Sequence, residues 1–97
     1  MARFLIQVDH EPEVGACERA ARVLLTSGSH YLTHADFGCM DGVHTAWLIA
    51  EVESRELARA IVPPAHRAQA RVVALNRFAL SEIDSFLAQH RSAERAS

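Results

Sequence analysis

The chain has 97 residues, 49% of them hydrophobic and 23% charged, which makes it one folded domain and excludes an intrinsically disordered chain. Its net charge of -2 offers no basic footprint for a phosphate backbone, so nucleic acid is not an expected partner. All ten positive charges are arginine, and without lysine there is no side-chain amine for Schiff-base chemistry.

Residues 3–9, RFLIQVD, alternate, with Phe4, Ile6 and Val8 on one side and Leu5, Gln7 and Asp9 on the other. This is the pattern of a strand with one buried face. HEPE follows, where Pro12 suits a first helical turn and Glu11 and Glu13 suit the positive end of a helix dipole. Val14, Cys17, Ala21, Leu24 and Leu25 then recur at helical spacing, predicting a helix to about Thr26 with Gly28 past its end.

The next stretch, HYLTHADFGCMDGVH over residues 30–44, holds three of the six histidines and one of the two cysteines. Asp41-Gly42 between two alternating runs predicts a hairpin with a type I′ turn. In that register paired residue numbers sum to 83. Phe37, Ala35, Thr33 and Tyr31 then face Ala46, Leu48, Ala50 and Val52 on the core side. His30, Leu32, His34 and Asp36 occupy the other side, opposite Glu53, Glu51, Ile49 and Trp47. A slip of one residue would exchange every one of these assignments.

Ser54 is the expected N-cap of a second helix, with Leu57, Ala60 and Ile61 as its apolar face and Pro63-Pro64 as its stop. Residues 70–78 read as the last strand. Ser81 with Asp84 resembles a capping box for a C-terminal helix over about 81–91, striped by Ile83, Phe86, Leu87 and His90, with a frayed tail over 92–97.

The order β-α-β-β-α-β with a trailing helix predicts one α+β domain over 1–97, its core in 3–78. It resembles the ferredoxin-like fold, a four-stranded antiparallel sheet with helices on one face. With the other face uncovered, it looks most like the dimeric α+β barrel superfamily, in which two protomers pair through open sheet faces and often enclose a small-molecule pocket. The likeness is one of element order and size. Members with this layout include muconolactone isomerases, cofactor-free monooxygenases of antibiotic biosynthesis, and nickel- or haem-binding proteins. The resemblance implies a homodimer, and the residues expected on the open face (Leu5, Leu32, Trp47, Ile49, Val73 and Leu75) agree with it, being too apolar to leave in water.

Three function classes follow. In the first, a small apolar or aromatic ligand binds the open face against Gln7, Asp9, Leu32, Trp47 and Ile49. His34 is its acid–base group and Asp36 orients the ring, for isomerase- or monooxygenase-like proton transfer without an organic cofactor. In the second, His30, His34, Cys39 and His44 bind a transition metal such as nickel, zinc or copper. Cys39 and His44 fall opposite each other at the hairpin tip, and a thiol with an imidazole suits a borderline metal. Against a single-chain site, His30 and His34 stand about 13 Å apart along a strand, and a bulge at Gly38 or a second chain would be needed to gather the set. In the third, the open face serves only to pair chains.

The remaining candidates read as structural. Cys17 falls on the apolar helix face and is assigned to the core. His10 is assigned a capping or turn role at the strand–helix corner, and His66 and Arg67 a solvated loop. The two cysteines make no disulfide framework. The N-terminal apolar run is too short for a signal peptide, and no segment nears the ~20 apolar residues of a membrane span. A cytoplasmic protein with reduced thiols and no membrane contact is expected.

Overall fold

A computed structural model describes residues 1–96, with side chains through Arg91. Strand β1 (Ala2–Asp9) is followed by helix α1 (Val14–Leu25), a short helix α2 (His30–Thr33) and a two-residue strand β2 (Asp36–Phe37). A 3-10 turn (Cys39–Asp41) leads to β3 (Thr45–Val52), α3 (Arg55–Ile61), α4 (Pro64–Arg67), β4 (Ala70–Leu75) and, after a second 3-10 turn at Leu80–Glu82, α5 (Ile83–Ala96). The four strands form one antiparallel sheet in the order β2-β3-β1-β4, the layout of a ferredoxin-like α+β fold, as the element order predicts. Among the described residues no helix is long and apolar enough to cross a membrane. Of the expected tail over 92–97, residues 92–96 lie in the last turns of α5 and Ser97 lies outside the described residues.

The period-two alternation of β1 does what its sequence requires. Phe4, Ile6 and Val8 are buried together with Leu48, Ala50, Val72, Leu24, Ala58 and Val62, and this cluster is the core. Its neighbours Leu5, Gln7 and Asp9 turn to the uncovered side, together with Trp47, Ile49 and Val73 from the paired strands. Helix α1 docks through Ala16, Ala20 and Leu24 instead of through Val14 and Leu25, which stay exposed. In α3 the Ser54 hydroxyl accepts from the Leu57 amide at 3.2 Å, the expected N-cap. The buried residue of this helix is Ala58, whereas Leu57 is half exposed. At the C-terminal end the cap is made by Glu82, whose carboxylate accepts from the Ala79 amide at 3.1 Å, two residues ahead of the expected Ser81–Asp84 pair.

The hairpin needs correction. Its register is right, with Asp36 facing Trp47 and Phe37 facing Ala46. The strand is not, because residues 30–33 are helical and pairing stops at Asp36. A strand would have left Leu32 on the open face. The helical turn buries it at 1% exposure in the core, so Leu32 is no part of an open-face site. The tip differs as well. Asp41 does not adopt positive φ, and Gly42 alone does (φ 81), closing the 3-10 turn with its amide bonded to the Cys39 carbonyl at 3.1 Å.

Candidate metal centre

Four segments converge at one end of the sheet. In the β1–β3 register Asp9 faces Thr45, and extending that ladder by one pair sets His10 opposite His44. The His10 amide donates to the His44 carbonyl at 3.1 Å, and the Thr45 hydroxyl donates to the Asp9 carboxylate at 2.9 Å. The β2–β3 ladder, extended in the same way past a Gly38 amide to Thr45 carbonyl bond of 3.0 Å, brings Cys39 opposite His44. Cys17 enters from the first turn of α1, where its amide bonds to the Glu13 carbonyl at 3.0 Å.

Glycine holds the loop that carries Cys39. A Cβ at Gly38 would lie 2.8 Å from the Val43 carbonyl oxygen and 2.9 Å from the Trp47 ring, so only glycine lets loop and indole approach this closely. The Gly38 carbonyl accepts from both the Asp41 and Val43 amides, at 3.0 and 2.9 Å. The Cys39–His44 segment is thus tied at both ends.

The side chains meet. His10 Nε2 lies 3.0 Å from Cys17 Sγ and 3.1 Å from Cys39 Sγ, and Cys17 Sγ lies 3.2 Å from His44 Nδ1. The four potential ligand atoms of His10, Cys17, Cys39 and His44 all fall within 4.8 Å of one another, and all four residues are part-buried. Tetrahedral zinc with bonds of about 2.3 Å to sulfur and 2.0–2.1 Å to nitrogen sets N···S edges of about 3.6 Å. The observed edges are shorter by about half an ångström. Side-chain torsions absorb such an expansion. Two thiolates also neutralise a divalent ion, and two sulfurs with two nitrogens are a borderline-soft set suited to zinc or copper.

Two members of the metal-free cluster, His10 and Cys39, are biased toward their neutral forms. Burial, then His44 and His66, hold the His10 imidazole below its ordinary value, against an opposing pull from Asp9. Burial, then the hydrogen bond and charge of Cys17, push the Cys39 thiol up. A neutral imidazole is ready to ligate, whereas each thiol must release a proton to the incoming cation. His10 Nδ1 is buried with no hydrogen-bond partner among the described residues. Beside the cluster, a recess of about 340 Å³ is walled by Asp9, His10, Glu11, Arg19, His66 and Gln69. Arg67 is turned away from it, its guanidinium donating to the Val62 carbonyl at 2.9 Å.

Of the metal set expected from the sequence, Cys39 and His44 belong to the cluster and His30 and His34 do not. Their partners are His10 and Cys17, the two residues that sequence reasoning assigned to a turn and to the core. His30 and His34 sit four apart on helix α2 with ring centroids 4.6 Å apart, because a helix stacks positions that a strand would separate. The His34 Nδ1 lies 2.8 Å from the His30 carbonyl oxygen. His30, His34, Ile49, Tyr31 and Glu51 surround a second recess of about 310 Å³. Asp36 stands beside Trp47 on β2, and no hydrogen bond joins it to His34 among the described residues. Gln7 and Asp9 are joined on the uncovered face, the amide donating to the carboxylate at 3.2 Å.

No protein-family model, no curated protein and no solved structure matches the chain.

Proposed function

We propose that this protein binds one zinc-class transition-metal ion through His10, Cys17, Cys39 and His44. The observation that carries the reading is the meeting of four ligand atoms within 4.8 Å, from the end of β1, the first turn of α1 and the two ends of the Cys39–His44 loop. Each segment is fixed by backbone hydrogen bonds that do not depend on the side chains. A four-residue donor set fills a tetrahedral shell and leaves no open position, which is the pattern of structural zinc and not of hydrolytic zinc. The ion then links the β1–α1 corner, the loop after β2 and the start of β3. In a small domain with a two-residue edge strand, that cross-link contributes folding free energy directly.

The test is metal content per chain, by mass spectrometry of tag-free protein purified without chelators and after reloading with zinc, nickel and copper. Cobalt substitution adds geometry, since tetrahedral thiolate-ligated cobalt shows charge-transfer and intense visible bands. One ion per chain, lost in Cys17→Ser and in Cys39→Ser but kept in His30→Ala and His34→Ala, is the expected result. Absence of retained metal after reloading, or retention that depends on His30 and His34, overturns the reading.

A second reading concerns the uncovered sheet face. We infer a small-molecule ligand there, held against Trp47 and Ile49 with His34 as its acid–base group, in a homodimer that pairs these faces. The support is the recess bounded by His30, His34 and Ile49, and the exposure of Ile49 at 53% in the centre of that face. Loss of binding in a fragment screen on His34→Ala, with the dimer intact by light scattering, is the matching test. A monomer, or a screen in which no fragment shifts Trp47 fluorescence, overturns it.

A further inference from the structure

Among the four ligands, the two sulfurs belong to residues far apart in sequence and close in space. We infer that Cys17 and Cys39 form a reversible disulfide that expels the bound metal, so that the site releases its ion in response to a peroxide or a disulfide oxidant. This rests on the metal-binding reading and adds its regulation.

The geometry supports the inference at three points. The sulfurs lie no more than 4.8 Å apart, and a disulfide of about 2.05 Å requires them to close by under about 3 Å. Both backbones are held by hydrogen bonds, Cys39 in the 3-10 turn after Gly38 and Cys17 in the first turn of α1, so the side-chain torsions close the gap. Finally, His10 Nε2 lies within 3.1 Å of both sulfurs, so the two thiols are turned toward one common centre. Both cysteines are part-exposed and free. Neither is sealed in the core, so a small oxidant can reach them.

The step balances. With peroxide, one metal-bound thiolate attacks an oxygen, the O–O bond breaks, and a sulfenic acid forms with hydroxide as leaving group. The second thiolate then attacks that sulfur, expelling a second hydroxide as the S–S bond closes. Two electrons pass from the sulfurs to peroxide, and two protons from solvent convert the hydroxides to water. With a small disulfide such as oxidised glutathione, two thiols leave instead through a mixed disulfide. In each case the site loses both anionic ligands. Two neutral imidazoles remain, and they do not hold zinc without the thiolates.

The experiment uses zinc-loaded wild-type protein with its metal content measured first. Hydrogen peroxide or oxidised glutathione is added stepwise, released zinc is followed with a chromogenic chelator, and the protein is mapped by non-reducing peptide mass spectrometry. The expected result is one zinc released per Cys17–Cys39 cross-link, within one chain, and uptake of zinc again after dithiothreitol. Zinc retained under oxidant, release without a cross-link, or a cross-link between chains overturns the inference. If the untreated protein holds no zinc, it is the metal reading that fails. The same map on metal-free protein then reports separately whether the two sulfurs join.

Discussion

His10 and His44 face each other across the ends of β1 and β3, joined by a 3.1 Å backbone bond and meeting edge to face with ring centroids 5.7 Å apart. Backbone pairing, not side-chain attraction, brings them together. This pairing needs no ion, so the backbone positions of both residues are set in advance and the proposed site is largely preorganised. Preorganisation reduces the conformational cost of binding that metal sites assembled from flexible chain must meet.

Replacing a ligand should therefore affect metal more than fold. Cys39→Ser is expected to lower zinc affinity by more than the roughly 10–100-fold that loss of an outer-shell partner costs. In chelator-treated protein it should change the urea midpoint little, since Cys39 is part-buried at the rim. Wild-type protein at zinc one hundred times its Kd should gain about 2.7 kcal/mol, which for a domain of this size is a Tm rise of roughly 10–20 °C. Differential scanning calorimetry with and without zinc measures it. An unchanged Tm in saturating zinc would contradict a site formed only in the folded state.

Much of this arrangement was legible in the sequence, and the rest lay in the His30–Thr33 segment and in the convergence of His10 and Cys17 on the hairpin tip. The alternation of RFLIQVD and of residues 45–52 dictates which faces are buried, and the hairpin register follows from centring it on Asp41-Gly42. Helix and strand could not be separated over His30–Thr33. There Tyr31 and Thr33 suit a strand by propensity, while Leu32 is buried by a helical turn four residues long, too short to show a period. The site needed one further step. Pairing β1 with β3 over Phe4–Ala50 and Val8–Ala46 already sets His10 against His44. Cys17 lies three residues before Ala20 and seven before Leu24, hence on the inward face of α1 at its sheet-end turn. That signal was read as core because an inward cysteine usually is core. What distinguished it was the convergence of two strand registers and a helix phase on one end of the sheet, which no single window of sequence displays.

Gly38 and Gly42 should respond differently to alanine. Gly38 has an ordinary φ of -98°, so a Cβ there costs through collision with the Val43 carbonyl and the Trp47 ring. The collision is with backbone on one side, which cannot swing away, and overpacking of this kind costs about 1–3 kcal/mol. Gly42 has open space but φ 81, so Gly42→Ala should cost about 1–2 kcal/mol by backbone strain alone. Only Gly38→Ala should shift the Trp47 emission maximum and weaken zinc binding, because only that change moves the Cys39 loop. Equilibrium urea unfolding followed by tryptophan fluorescence, with a zinc titration on each variant, separates the two.

The helical reading of residues 30–33 has its own stability signature. Leu32→Ala removes a side chain exposed at 1% within the main core and should cost about 2–5 kcal/mol. His34→Ala, at an exposed position, should stay within about 0.5 kcal/mol. Were the segment a strand with Leu32 on the open face, Leu32→Ala would be nearly silent in a monomer. Paired urea denaturation curves decide between these outcomes.

The metal-free protein should be most stable in a bounded pH window set by two members of the cluster. His10 is held below its ordinary value by burial and by His44 and His66, so the folded state takes up its proton less readily than the unfolded state. Stability is therefore complete above about pH 6.5 and falls as the pH drops through the folded value. Cys39 is pushed up by burial and Cys17, so the folded state gives up its proton less readily. Stability is complete below about pH 8.5 and falls as the pH rises through the folded value. Urea midpoints at about pH 5, 7.5 and 9.5 should show loss on both sides, with His10→Asn flattening the acid limb and Cys39→Ala the alkaline one. Zinc reverses the alkaline limb, because an ionised thiolate is what the metal takes, and steepens the acid one, because protons then compete for all four ligands. A stability profile that keeps its alkaline decline in saturating zinc would place Cys39 outside the coordination shell.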